Sequence, residues 1–109
     1  MAAKVSFETD FLRAFAGTYV SEIAFTEKAL DDIRWCRRIG RRIGLADVLF
    51  VLKTGDVVTN EKEQADGAEW QVEGNTCDGD GLFITLEVWC DRYHVRVQRI
   101  RMLIGVTNV

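Results

Sequence analysis

Residue types that can transfer protons and stabilise a transition state lie close together near the end of the chain. His94, Arg96 and Gln98 alternate along one predicted strand, and Glu87 lies on the strand before it. If a tight turn joins these strands, Glu87 lies opposite Arg96 and all four side chains share one sheet face. A proton-transfer group, a cation and a carboxylate are what metal-free RNA cleavage by 2′-hydroxyl attack requires. A structural interpretation competes, because a Glu–Arg pair and a histidine beside Trp89 are common on exposed sheets.

Five arginines between positions 34 and 42 form a second group with a chemical use. Four of them recur at helical spacing, which lines guanidinium groups along one side of a helix. Arginine matches phosphate oxygens with paired hydrogen bonds, so the pattern predicts contact with an RNA or DNA backbone. The competing interpretation is a solvated helix face that pairs with neighbouring acids. The predicted nucleic-acid-binding residues are Arg34, Arg38, Arg41 and Arg42.

Aromatic residues recur at every fourth position near the beginning of the chain and form a stripe on one side of a short predicted helix. This stripe either packs on the sheet or presents a docking surface for a protein partner. On the second interpretation, the partner-binding residues are Phe7, Phe11 and Phe15.

The surrounding periodicities predict an α+β fold, in which two or three N-terminal helices pack on a curled antiparallel sheet of four or five strands. Thr26 is the predicted N-cap of the second helix, and the third helix covers residues 45–54. This third helix offers almost no polar side chain for base edges, which disfavours a helix-turn-helix DNA reader. Alternating apolar residues in 82–90 and 93–100 predict the last hairpin, with Tyr93 on its core face.

The charges are unevenly distributed, although the net charge is only −3. Nine of the fourteen basic residues fall in segments 34–42 and 92–101, and the chain between these segments is strongly acidic. A basic face is therefore expected if the two segments meet in space.

Other classes of protein are disfavoured by composition. The three cysteines have no CxxC spacing, and a partial calcium-loop pattern at 76–87 lies between predicted strands, so we expect neither a metal nor a cofactor. The first residues lack the pattern of a secretion signal, and no uncharged apolar run is long enough to span a membrane. These observations predict a cytoplasmic protein without membrane contact, and a homodimer is left open.

Three short motifs carry a resemblance to a known family. An Arg-Ile-Gly-Leu-x-Asp-Val turn spans residues 42–48, an LxxGxV motif spans 52–57 and a Gly-x-x-x-Asp-Gly segment spans 74–79. Together they resemble a small bacterial family of unknown function that is related to the RelE-type and MqsR-type ribonuclease toxins. Members of that family usually carry a histidine where this chain has Lys28.

The length of 109 residues predicts one domain, residues 1–109, and the resemblance implies a RelE-like core at 20–104 with an N-terminal helical extension at 1–19. It implies a toxin-like RNA-binding domain and, at its furthest, a metal-free endoribonuclease of a toxin-antitoxin system. The implied partners are RNA or the ribosome, together with an antitoxin. The alternative is a non-enzymatic inhibitor or adaptor, encoded by a phage or mobile element, that binds another protein. Whether the chain is an enzyme is left open.

Overall fold

The computed structural model describes residues 7–60 and 67–103, without the side chains of residues 59 and 60. These residues form three α-helices and five strands, and two short 3₁₀ turns lie at Val20–Glu22 and Cys90–Arg92. The predicted α+β class is confirmed. In chain order the elements are α1 (Phe7–Thr18), β1 (Ile23–Phe25), α2 (Glu27–Arg38), α3 (Leu45–Thr54), β2 (Asp56–Asn60), β3 (Ala68–Asn75), β4 (Gly81–Trp89) and β5 (His94–Met102).

The sheet is open and mixed, with the strand order β1-β5-β4-β3-β2. The prediction of an antiparallel sheet is wrong for β1, which pairs in parallel with β5 from Ile23 opposite Val95 to Phe25 opposite Val97. A tight hairpin makes consecutive strands antiparallel, but β1 pairs with a strand about seventy residues later in the chain, so a hairpin does not fix its direction. The remaining neighbours pair antiparallel.

The β4–β5 hairpin has the predicted pairing, with Glu87 opposite Arg96 and Trp89 opposite His94. Its turn is longer than two residues, because a 3₁₀ turn precedes Tyr93, which adopts the left-handed conformation at φ 51°. The predicted core position of Tyr93 is wrong, since this residue is 58% exposed. Its left-handed backbone interrupts the alternation of the strand and directs the ring to the rim of the helical layer.

The three helices cover one face of the sheet, where alternate residues of β3, β4 and β5 are buried. The buried stripe of α2 consists of Ala29, Ile33 and Cys36. Burial raises the pKa of the Cys36 thiol, and the negative charges of Asp32 and Asp80 raise it further. None of the helices in the described residues is long and apolar enough to cross a bilayer. The strand residues at the centre of the core are Val72, Leu82, Ile84, Leu86, Val88, Val95 and Val97.

Helix α1, which the sequence sets apart as an extension, is part of the same core. It buries Leu12, Phe15 and Ala16 in the cluster formed by the sheet and the other helices. The guanidinium of Arg13 also donates hydrogen bonds to the carbonyl oxygens of Thr54 and Gly55, at 3.2 and 3.1 Å. These carbonyls end α3 without intrahelical partners, so α1 caps the helix beside it.

Two glycines of the resemblance motifs allow α3 to end directly against β3. A Cβ atom at Gly55 would lie 2.7 Å from the carbonyl oxygen of Glu73 and 2.8 Å from that of Val51. A Cβ atom at Gly74 would lie 3.0 Å from the Cα atom of Gly55. Since the obstructing atoms belong to the backbone, these motif residues serve packing in this structure.

We expect Gly55→Ala to destabilise the protein, because backbone atoms at 2.7–2.8 Å cannot move aside without displacing α3 or β3. The expected loss is on the order of 1–3 kcal/mol of unfolding free energy, as for other overpacked sites, and denaturant titration measures it. The control is Gly17→Ala on the exposed side of α1, where a Cβ atom meets nothing within 4 Å. Unchanged or raised stability is expected there, and equal stability of both variants would contradict the close packing.

Candidate nucleic-acid interface

The turn from α2 to α3 contains an open groove of about 550 Å³. α2 ends after Arg38, and Gly40 then adopts φ +89°, a conformation that reverses the chain and favours glycine. The side chain of Asp47 accepts a hydrogen bond of 2.9 Å from the N–H of Gly44 and so caps the beginning of α3. Between these two ends the groove is lined by Arg37, Gly40, Arg41, Arg42, Ile43, Gly44 and Asp47.

Positive charge exceeds negative charge in this groove. Arg41 forms an ion pair of 3.3 Å with Asp80, in the turn before β4. Arg37 and Arg42 are exposed, and their guanidinium groups form no ion pair or hydrogen bond with any described residue. Three arginines but only one carboxylate, that of Asp47, line the groove, and Asp80 pairs with Arg41 alone, which leaves the groove suited to an anion.

The predicted arginine set is only partly available for a ligand. Arg34 pairs with Asp31 on its own helix, whereas Arg38 and Arg42 have no carboxylate partner in the described part of the chain. Arg37 was not among the predicted residues, because the spacing was continued as one helix through residue 42. Gly40, which the sequence also marks as a turn residue, ends α2 within this span, so helical spacing does not hold for Arg41 and Arg42, and Arg37 lines the same groove as Arg42.

All four predicted catalytic residues belong to the β4–β5 hairpin, and the side chains of Glu87, His94 and Arg96 lie together on the sheet face that the helices leave uncovered. Arg96 donates hydrogen bonds of 2.5 and 3.2 Å to one oxygen of Glu87. Its guanidinium carbon also lies 5.2 Å from the ring centre of Trp89, which in turn lies 4.9 Å from that of His94. Gln98 is at the irregularity of β5, where its carbonyl accepts a hydrogen bond from the Thr26 hydroxyl.

Arg96, the cation of this group, already forms an ion pair with Glu87. A carboxylate and an aromatic ring both contact Arg96, so Glu87 competes with a phosphate for the guanidinium. The structure brings His94, Arg96 and Glu87 together through Trp89, in the manner of a packed cross-strand cluster.

The arginine groove and the histidine cluster lie at opposite ends of β4. The groove reaches the sheet through Arg41 and Asp80, immediately before Gly81, whereas His94 pairs with Trp89 at the other end of the strand. β4 has nine residues, which corresponds to about 27 Å at the usual strand rise. The two predicted groups therefore do not form one site around a single phosphate.

The second basic segment is engaged in the fold. Arg99 donates two hydrogen bonds to Asp32 of α2, at 2.9 and 3.1 Å, and the N–H of Ile100 donates a third at 2.8 Å. Burial raises the pKa of Asp32, but these hydrogen bonds and the charges of Arg99 and Arg101 outweigh it, and the net pKa is lowered. Arg99 thus joins α2 to β5 and is not available to the expected basic face, and Arg96 is likewise paired, with Glu87.

The predicted partner-binding stripe divides between core and surface. Phe15 is buried, Phe11 packs edge-on against Trp70 at 5.9 Å, and Phe7 is 65% exposed at the beginning of α1. The aromatic rings continue from Phe11 and Phe15 to Tyr93, at 6.0 and 6.4 Å. Phe15 therefore offers no surface to a partner, whereas Phe7 and Tyr93, at the exposed rim of this aromatic cluster, do.

No family model, curated protein or solved structure matches the chain in the comparisons. The resemblance to the RelE-related family therefore stays a prediction that rests on the quoted motifs. Within residues 7–60 and 67–103, no group of three His, Cys, Asp or Glu side chains is arranged to hold a metal ion.

We expect Asp32→Asn to lower the unfolding free energy by roughly 1–3 kcal/mol at pH 7, because it removes a charge that accepts three hydrogen bonds. The pKa of Asp32 is lowered by folding from its ordinary value of 3.8, so its contribution is present above that pH. The contribution is lost as pH falls through the lower, folded pKa. The difference between wild type and Asp32→Asn should therefore be constant near neutrality and shrink below about pH 4.

Asp31→Asn is the matched control, since it removes the same charge from the neighbouring, exposed position on α2. Its partner Arg34 is a surface residue of the same helix, and such pairs contribute about 0.5 kcal/mol or less. Denaturant titration of both variants between pH 3 and pH 7 makes the comparison. Equal losses at positions 31 and 32 would contradict the role assigned to Asp32.

Proposed function

We propose that this chain is an RNA-binding domain that contacts the phosphate backbone at the α2–α3 groove. The observation that carries the proposal is the placement of Arg37, Arg41 and Arg42 around one open groove, with two of the three lacking a carboxylate partner among the described residues. Guanidinium groups bind phosphate oxygens in pairs, and unpaired ones need not first give up an intramolecular partner.

The charge of the whole chain limits the affinity that we expect. With a net charge of −3, the protein does not attract RNA over long distances, so binding depends on contacts within the groove. A few phosphate contacts correspond to dissociation constants of about 10⁻⁴–10⁻⁶ M at physiological salt. The interaction should be modest and strongly dependent on ionic strength.

The proposal is one of binding and does not include cleavage. A phosphate held by Arg37 and Arg42 lies about the length of β4 away from His94, and Arg96 is engaged with Glu87. The endoribonuclease activity implied by the resemblance stays a prediction, and the integrity of the RNA after incubation tests it separately. The toxin-antitoxin context is likewise part of the resemblance and adds no contact to the groove.

We expect the double variant Arg37→Ala, Arg42→Ala to weaken binding of a labelled 12-nucleotide RNA, measured by fluorescence anisotropy between 50 and 200 mM salt. Each phosphate contact contributes about −0.7 to the slope of log affinity against log salt for single strands. Loss of two contacts should therefore flatten the slope by about 1.4.

The charge-matched comparison is Arg42→Ala against Arg92→Ala, because Arg92 is exposed in the β4–β5 turn, away from the groove. Binding should weaken in the first variant and stay near wild type in the second. Equal losses in both would mean that net charge alone governs binding, and no binding by wild type at 50 mM salt would overturn the proposal.

Protein binding is a second candidate function, favoured by the aromatic rim of α1 and the β4–β5 turn. Phe7 and Tyr93 are 65% and 58% exposed, and the ring of Tyr19 lies 5.8 Å from that of Tyr93. Tyr93 holds a left-handed backbone conformation that is rare for a bulky residue. Exposed aromatic residues in one cluster are typical of protein interfaces.

Tyr93→Asn tests this second candidate, because asparagine tolerates the left-handed conformation while a small carboxamide replaces the aromatic ring. If the rim binds a protein, affinity capture from host lysate with wild type should retain a protein that the variant retains less. Identical retention by wild type and Tyr93→Asn, with both folded by circular dichroism, would remove the rim from consideration.

A further inference from the structure

The exposure of Trp35 sets it apart from the other two tryptophans of the chain. Trp70 and Trp89 are 3% and 9% exposed, whereas Trp35 is 48% exposed on α2. It lies outside the buried stripe of that helix, and no ring contact or cation–π contact in the described part of the chain involves it. About half of this large, flat and apolar side chain is thus presented to solvent.

Side chains of both signs of charge lie around Trp35 on α2. Asp31 and Asp32, one turn before it, are already paired with Arg34 and Arg99. Arg34 precedes it directly and Arg38 follows three residues later, which places Arg38 on the same side of the helix. Arg38 has no carboxylate partner among the described residues, and the groove with Arg37 and Arg42 begins where α2 ends. An aromatic surface flanked by guanidinium groups has the two parts that a nucleotide requires, one for the base and one for the phosphate.

We infer that Trp35 stacks on an unpaired base, so that the α2–α3 groove takes single-stranded in preference to double-stranded RNA. This inference rests on the proposed function, because the arginines must hold the backbone beside the ring. Bases of a duplex are stacked on each other within the helix, and their faces are closed to a protein side chain. A single strand can turn a base onto Trp35 while its phosphates lie against Arg38 and the groove.

Intrinsic tryptophan fluorescence tests this inference directly, since Trp35 is the one tryptophan with solvent access. A 12-nucleotide oligouridylate should quench the emission of wild type, and a blunt RNA duplex of equal length should quench it little and bind more weakly. Trp35→Ala should lose the quenching and bind the single strand about 5- to 150-fold more weakly, the loss that accompanies removal of one stacked base. Its salt slope should be unchanged, because no phosphate contact is removed. Trp35→Phe keeps an aromatic ring and should retain most of the affinity.

The outcomes distinguish this inference from the proposed function. If wild type binds RNA, depends on Arg37 and Arg42, and yet binds duplex equally well or tolerates Trp35→Ala, the inference is overturned and the proposed function stands. If wild type binds neither the single-stranded nor the duplex RNA, the inference and the proposed function are both overturned. A fall in thermal stability of Trp35→Ala that matches its loss of affinity would assign the ring a structural role and would also overturn the inference.

Discussion

The attachment of α2 to the edge of β5 is the interaction on which the rest of the structure depends. β1 covers this edge only at residues 95–97, so the strand would leave backbone groups without partners beyond that point. Side chains of α2 take the place of the missing strand. Thr26 donates to the carbonyl oxygen of Gln98, and Asp32 accepts from the N–H of Ile100 while it binds Arg99. The position of the helix, and of the turn that follows it, is set by these contacts.

This attachment also decides which basic residues are available to a ligand. Arg99 is used by Asp32, and Arg96 is used by Glu87 on the uncovered sheet face. Arg37, Arg38 and Arg42 lie beyond the attached part of α2, near or after its end, and keep their guanidinium groups exposed. Among the described residues of this acidic chain, a local surplus of positive charge thus lies at the end of β4 that is far from His94.

Local patterns predicted the elements well, because caps and periodicities act within a few residues. Thr26 accepts a hydrogen bond from the N–H of Ala29 as an N-cap should, and the alternation of the last two strands placed Glu87 opposite Arg96. Contacts between distant segments were not predictable in this way. Nothing local to Asp32 indicates that its partner is Arg99, 67 residues later, and nothing local to Ile23 indicates a parallel neighbour.

The candidate site was only partly predictable for the same reason. The arginine pattern indicated the segment that lines the groove, but the chain reverses at Gly40, so Arg37 lines the groove and Arg34 does not. The histidine cluster was placed correctly on its hairpin, yet its distance from the arginines depends on the direction in which α2 lies along the sheet. That direction is a property of the packed structure.

The measurement that tests the central claim most directly is a nuclear magnetic resonance titration of ¹⁵N-labelled protein with hexauridylate. The account predicts chemical-shift changes confined to residues 34–44, with the amides of His94 and Trp89 unchanged. Changes centred on the β4–β5 hairpin, or no changes at millimolar RNA and low salt, would contradict it.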